Sequence, residues 1–125
     1  MDQPSTVVAQ FVQRAPGLLA VIDGSGMFTF LSHSWEHVLG TTRAELVMSP
    51  YLELVHPDDL EPSRAELHAQ DESHRRRDVR LRCGDGSFRA FQWDARWQGD
   101  QLYVTAADIE DRLERERQAL HDSMT

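Results

Sequence analysis

Cysteine occurs once in the sequence, and lysine does not occur at all. Because Cys83 is the only cysteine, an internal disulfide is excluded, and a metal site that used it would need ligands of other types. No apolar run approaches the roughly 20 residues that span a bilayer. The first residues also lack the basic and apolar regions of a signal peptide. We therefore expect a cytoplasmic protein with no membrane segment.

Positive charge is also scarce. The 125 residues include 13 basic and 21 acidic side chains, for a formal net charge of -8. A general nucleic-acid binder needs a basic surface to attract phosphates, so we expect no nucleic-acid partner. The run of Arg75, Arg76 and Arg77 is a local exception. Acidic residues on both sides of this run predict a solvated strand entry rather than a phosphate site.

Arrangements typical of catalysis are missing as well. No nucleophile, base and orienting group fall into a recognisable pattern, and no glycine-rich loop could cradle a phosphate. His33 and His37 stand four residues apart on a predicted helix, which could place two imidazoles on one face as metal ligands. No third or fourth ligand is evident, so we interpret them as surface histidines. We expect neither enzymatic activity nor a metal site in this chain.

The spacing of apolar residues predicts one α+β domain. A helix is followed by two strands, several short helices, three strands and a last helix. The last three strands alternate between apolar and polar residues, as an antiparallel sheet with one buried face does. The predicted helices are 1–15, 34–39, 42–46, 60–69 and a helix that starts at Asp108, the strands are 18–22, 27–31, 79–83, 91–97 and 102–107, and 71–77 is a loop.

Five short motifs resemble the PAS family in their order and spacing. They are Ile22-Asp23-Gly24, the segment 30–40, Val55-His56-Pro57-Asp58-Asp59, Asp85-Gly86-Ser87 and the closing Asp108-Ile109. The resemblance covers residues 16–112. It implies a five-stranded antiparallel sheet with short helices on one face, in a non-catalytic sensory domain over residues 16–108. It also implies an N-terminal cap helix over 1–15 and a C-terminal signalling helix over 109–125. Ser32 and Glu110 depart from the asparagine and threonine that many members have there.

The last seven residues carry a second resemblance. Ala119-Leu120-His121-Asp122-Ser123-Met124-Thr125 is similar to the segment that leads into GGDEF domains. This implies that the sensory domain controls a bacterial diguanylate cyclase, which makes cyclic di-GMP from GTP, as an output domain in cis. Two alternatives stay open, namely the input domain of a sensor histidine kinase and a ligand-free dimerisation scaffold.

Large apolar side chains predict a ligand pocket between the sheet and the helices. A plain core would use the same residue types, so that alternative stays open. The sequence requires no cofactor, although a non-covalent flavin or a small metabolite would suit such a pocket. Haem is disfavoured because the usual histidine position of the family falls nearer Ser63 than His68. The predicted pocket residues are Phe28, Phe30, Trp35, Leu39, Tyr51, Leu54, Phe91 and Trp93.

The start of the last helix is the predicted point of signal coupling. Asp108 can accept backbone hydrogen bonds there, and its charge favours the positive end of the helix dipole. Ile109, Leu113 and Leu120 follow a heptad spacing that favours a short parallel coiled coil with a second copy. We therefore expect a homodimer through the N- and C-terminal helices. A solvated surface helix is the alternative, because polar residues interrupt the stripe.

Overall fold

The computed structural model describes residues 17–47, 49–69 and 74–123. The predicted helix over 1–15 lies outside these residues. The strands are β1 Leu18–Asp23, β2 Phe28–Leu31, β3 His74–Arg82, β4 Phe88–Gln98 and β5 Gln101–Asp108. The helices are α1 Ser34–Leu39, α2 Arg43–Leu46, α3 Leu60–Ala69 and α4 Ile109–Ser123, with short 3-10 helices at Tyr51–Glu53 and Pro57–Asp59.

The five strands form one antiparallel sheet in the order β2-β1-β5-β4-β3. The last strand in the sequence is therefore the central strand of the sheet, because β5 pairs with β1 on one side and β4 on the other. Ala20 lies opposite Val104, and Trp93 lies opposite Ala106. The predicted α+β fold, with a five-stranded antiparallel sheet and several short helices, is confirmed.

The short helices end and begin where the sequence predicts. Gly40 adopts a left-handed conformation with φ of 71° after α1, and its N–H donates to the carbonyl of Glu36. Glycine reaches this conformation without the steric cost that a Cβ adds. The hydroxyl of Thr42 accepts a hydrogen bond from the Glu45 N–H at 3.2 Å and caps α2. Both caps confirm the boundaries predicted from the sequence.

The predicted loop over 71–77 is wrong for residues 74–77, because β3 begins at His74. Strand β4 is 11 residues long and offers partners to this whole segment, from His74 opposite Arg96 to Arg77 opposite Trp93. The segment is polar on both faces, so it has no hydrophobic alternation to mark it as a strand. An edge strand tolerates charged residues, because its outer side meets solvent instead of another strand.

One apolar core lies between the sheet and the short helices. Along β4, Phe91, Trp93, Ala95 and Trp97 are buried and alternate with residues that are less buried. This period of two directs one row of side chains at the helices. The largest fully buried side chains are Trp35, Trp93, Trp97, Tyr51, Phe28 and Phe91. No helix among the described residues is long and apolar enough to cross a membrane.

Candidate functional site

A charged residue is buried against the aromatic side chains of the apolar core. Glu66 on α3 is 1% exposed, and its carboxylate forms an ion pair with Arg77 on β3, with Oε1 at 3.1 Å from Nη2. The same Oε1 accepts a hydrogen bond from the Trp93 indole at 3.2 Å. Nη2 of Arg77 also donates to the Tyr51 and Ser63 hydroxyls, both at 2.9 Å. We call these five residues the buried polar cluster.

Helix and strand geometry bring the two charges together. Ser63, Glu66 and Leu67 are the buried residues of α3, and their spacing of three and four places them on one helical face. On β3, Arg77 precedes Val79 and Leu81 on the inward side of the strand. The indole of Trp97 donates to the backbone carbonyl of Glu66 at 2.8 Å. The cluster therefore joins α3 to both β3 and β4.

A second ion pair positions the start of α3 against the same strand. Both carboxylate oxygens of Asp59 accept from the Arg80 guanidinium at 3.0 Å, and Oδ2 accepts from the Arg80 backbone N–H at 2.9 Å. The hydrogen bonds of Arg80 hold the pKa of Asp59 below its ordinary value, against the opposing effect of partial burial. His56 caps this turn, since its Nδ1 accepts from the Asp58 N–H.

Tyr51 links the polar cluster to the aromatic core. Its ring stacks on Trp93 with centroids 5.2 Å apart and meets Phe28 edge-on at 6.0 Å. Burial, followed by the nearby Glu66 carboxylate, raises the pKa of Tyr51 to about 12. Because the phenol stays neutral below that pH, it can donate to Glu66 while it accepts from Arg77.

Three polar atoms of the buried ion pair have no hydrogen-bond partner among the described residues. They are Oε2 of Glu66 and both Nε and Nη1 of Arg77, and all three are enclosed by protein. Buried polar atoms in native proteins are almost always paired with protein or ordered water. The cluster therefore has hydrogen-bonding capacity that no side chain in the described part of the structure uses.

The structure brings six of the eight predicted pocket residues together in the core, packs Leu54 against its edge and turns Phe30 away from it. Phe30 lies opposite Val21 on the outer side of the sheet and is half-buried. A β-bulge between β1 and β2 separates it from Phe28, which faces inward. Leu54 is half-buried against the core and borders a surface cleft of about 260 Å³. The six residues within the core are Phe28, Trp35, Leu39, Tyr51, Phe91 and Trp93.

The histidines considered as ligands lie at the surface. His33 and His37 are exposed at the beginning and end of α1, and His68 is exposed on α3. In the described part of the chain, no three His, Cys, Asp or Glu side chains are grouped so that they could hold a metal ion. Ser63, the other position considered for haem, is buried and accepts from Arg77. Cys83 is half-buried, packs against the core and lines the cleft beside Leu54.

The junction between the sheet and α4 is a clamp made by Asp108, the last residue of β5. Its Oδ1 accepts from the Glu110 N–H at 2.9 Å, which caps the helix. Its Oδ2 accepts from Nε and Nη2 of Arg89 on β4 at 3.0 and 2.7 Å. The helix follows without a connecting loop, because Ile109 is its first residue and is buried. Each oxygen of one carboxylate thus serves a different element.

Farther along α4, Leu120 differs from Ile109 in its surroundings. Leu120 is 64% exposed, and Leu113 lies between it and the junction on the same helix. The helix surface is otherwise rich in charge, with Arg117 paired to Glu114 at 2.9 Å. An exposed leucine on a charged helix is compatible with either a second copy or solvent as its neighbour.

The family model described as the PAS fold matches residues 28–102, which is more than half of the chain. The chain belongs to the PAS family. PAS domains are sensory and non-catalytic, so this assignment agrees with the lack of a catalytic arrangement in the sequence. None of the curated proteins matches the chain.

Solved PAS domains share this fold at low sequence identity. The PAS domain of an HTR-like protein from Haloarcula marismortui has a TM-score of 0.74 and 18% identity, over 84% of this chain and 91% of its own. A domain of a sensory box sensor histidine kinase/response regulator from Geobacter sulfurreducens has a TM-score of 0.73 and 16% identity, over 83% and 93%. The PAS domain of the Cronobacter turicensis quorum-sensing receptor RpfR, solved with BDSF, has a TM-score of 0.67 and 17% identity, over 77% and 96%.

Sequence reasoning missed the residues that distinguish this core. From the sequence, Glu66 is placed only within a predicted helix, and Arg77 is predicted to lie at a solvated strand entry at the end of a loop. Arg89 was not singled out, although it holds Asp108. A signal for Glu66 exists in the spacing of Ser63, Glu66 and Leu67 on one helical face. That signal is weak, because a glutamate on a short helix is exposed in most proteins.

Proposed function

We propose that this PAS domain, over residues 16–108, is the cytoplasmic input module of a bacterial signal-transduction protein and controls a GGDEF diguanylate cyclase through α4. The observation that carries the proposal is the clamp at Asp108. The central strand β5 passes directly into α4, so a shift of the sheet reaches the helix without a flexible connection. The resemblance of residues 119–125 to the segment before GGDEF domains supports the identity of the output.

The core offers a short physical route to this junction. Trp35 on α1 contacts Phe91 on β4, with ring centroids 5.6 Å apart. Phe91 lies opposite Asp108 in the sheet register, and Arg89 stands two residues before it on the same strand. A cue that changes the packing of these rings would therefore displace the two strands that the clamp joins. Such a cue can shift the output only by its difference in affinity for the two states.

Dimerisation would convert a movement of α4 into an output. We propose a homodimer through the N- and C-terminal helices, with Ile109, Leu113 and Leu120 along the contact between copies. The exposure of Leu120 supports this arrangement, because a second copy would cover an apolar side chain that now meets solvent. Rotation of the paired helices would then bring two cyclase domains together or separate them.

A sensor histidine kinase is the second candidate for the output. The likeness to the Geobacter sulfurreducens domain favours it, since that domain is named as part of a sensor histidine kinase/response regulator. Either output would use the same clamp.

The RpfR domain was solved with BDSF and, separately, with C12:0, which supports a small-molecule cue for this chain as well.

The test is Asp108→Ala in the full-length parent protein, with the rate of cyclic di-GMP formation from GTP as the readout. Asp100→Ala is the matched control, because Asp100 is an exposed carboxylate in the turn at the other end of β5. We expect Asp108→Ala to change the rate by at least about fivefold, the lower range of allosteric coupling. A rate equal to that of the control would refute the coupling. A native protein that makes no cyclic di-GMP would refute the cyclase output alone.

A further inference from the structure

The buried polar cluster has two donor atoms and one acceptor atom without a partner among the described residues. Glu66 and Arg77 are bound to each other through Oε1 and Nη2, while Oε2, Nε and Nη1 have no partner among the described residues. A carboxylate oxygen can only accept, and guanidinium nitrogens can only donate. A group that fits here must therefore offer an acceptor to Arg77 and a donor to Glu66.

Charge restricts the group further. Glu66 and Arg77 form one ion pair, so the cluster is electrically neutral as it stands. Tyr51, Ser63 and Trp93 add no charge. A ligand with a net charge would leave that charge uncompensated among apolar side chains, which is strongly unfavourable. A net-neutral ligand avoids this penalty.

Access to the cluster is from the side of Arg77. The Glu66 side chain is 1% exposed, whereas the Arg77 side chain is 19% exposed. Arg77 also lies on β3, which is an edge strand of the sheet. Nε and Nη1 of Arg77 are enclosed, as Oε2 of Glu66 is, so a small molecule reaches these atoms only when α3 and β3 move apart at this edge of the sheet.

We propose that this cluster binds a small net-neutral ligand through a primary carboxamide. The amide carbonyl accepts from Nε or Nη1 of Arg77, and the amide NH₂ donates to Oε2 of Glu66. Both unused capacities are then met by one planar group that carries an acceptor and a donor on the same carbon. The proposal rests on the proposed sensory role, to which it adds the chemistry of the ligand and the residues that hold it.

The chain contains its own reporters for a binding test. Of its three tryptophans, Trp93 and Trp97 donate to Glu66, whereas Trp35 donates to the carbonyl of Leu19. Their indole N–H signals can be followed by NMR in ¹⁵N-labelled protein. The probes are propionamide and propionate, which have the same shape and differ in net charge. Judged by the free energy that each heavy atom of a small ligand can contribute, fragments of this size bind with Kd values from about micromolar to far above millimolar, so the titration extends into the high millimolar range.

We expect propionamide to shift the Trp93 and Trp97 signals saturably and to leave the Trp35 signal in place. Propionate should bind at least about tenfold more weakly, because it brings an uncompensated charge. If propionamide leaves the Trp93 and Trp97 signals unchanged, water satisfies the unpaired atoms and the proposal is overturned. Equal or tighter binding of propionate also overturns it.

A charge-changing variant separates recognition from a structural effect. Glu66→Gln keeps the shape of the side chain but leaves Arg77 without its counter-charge, so the preference should reverse in favour of propionate. Arg76→Gln is the matched control, because Arg76 is the preceding residue of β3 and is exposed on the outer face. The control should keep the native preference. A Glu66→Gln protein that still prefers propionamide would contradict the proposal.

The native chain alone decides the matter if Glu66→Gln does not fold, because the comparison of propionamide with propionate needs no variant. The result of the propionamide titration is also independent of the result of the Asp108→Ala test. Loss of propionamide binding leaves the Asp108 clamp and its test in the full-length protein unaffected. Conversely, if Asp108→Ala did not change the rate of cyclic di-GMP formation, the expected shifts of the indole signals with propionamide would be unaffected.

Discussion

Replacement of Arg77 by methionine should destabilise the domain strongly. Methionine keeps most of the length of the side chain but removes the guanidinium that lies 3.1 Å from Glu66. The carboxylate would then be buried at 1% exposure with only neutral donors, Tyr51 and Trp93, around it. Breaking a buried pair in this way costs about 3–5 kcal/mol. That is a large part of the roughly 5–15 kcal/mol that holds a domain folded.

Urea unfolding followed by tryptophan fluorescence measures this change. With a urea m-value of about 1–3 kcal/mol per molar, the midpoint should fall by roughly 2 M. Arg76→Met is the control on the same strand. Arg76 is 61% exposed and pairs with Asp94 at 3.1 Å, and loss of such a surface pair costs at most about 1 kcal/mol.

A double variant tests the cause of the loss. In Glu66→Leu/Arg77→Met no charge remains in the core, so this protein should be more stable than Arg77→Met alone. It should still be less stable than the native chain, because the indole of Trp93 loses its acceptor. Two results would contradict this reasoning. One is an Arg77→Met protein as stable as Arg76→Met, and the other is a double variant less stable than Arg77→Met.

Two further substitutions follow from the structure. The pKa of Tyr51 is raised to about 12, above the ordinary value of about 10. The contribution of the neutral phenol to the free energy of unfolding is therefore fully present below pH 10 and is lost as the pH rises towards 12. Urea unfolding across this range should show a larger loss of unfolding free energy in the native chain, on the order of 2–3 kcal/mol, than in Tyr51→Phe; equal losses in the two proteins would contradict the assignment. A Cβ added at Gly84 would lie 2.6 Å from the Gly40 carbonyl oxygen, so Gly84→Ala should lower the free energy of unfolding by about 1–3 kcal/mol. Gly17→Ala is the control, because nothing lies within 4 Å of the new Cβ, and a similar loss in both proteins would refute the close approach.

Much of the fold could be predicted because its signals are local. The glycine after α1 and the threonine before α2 mark helix ends through backbone conformation and capping, which neighbouring residues determine. Trp93 and Trp97 repeat with the period of a strand that has one buried face. These features need no knowledge of distant parts of the chain.

The polar cluster and the start of β3 could not be predicted because they depend on residues far apart in the sequence. Arg77 is half-buried only because α3 covers it and Glu66, 11 residues away, offers a counter-charge. Phe30 is another example, since the bulge that turns it away from the core depends on the pairing of β2 with β1. An arginine in a polar run and a phenylalanine in an apolar run were each assigned by their neighbours alone, and the tertiary contacts place them otherwise.

The distance between the sheet and α4 tests the central claim most directly, namely that the Asp108 clamp sets the direction of the helix. Spin labels at Gln98→Cys and Gln118→Cys, in a Cys83→Ser background diluted with unlabelled chain, report this distance by pulsed electron paramagnetic resonance; both positions are exposed. We predict one narrow distribution for the native junction and a broad or displaced one for Asp108→Ala. The same narrow distribution in both proteins would contradict the account.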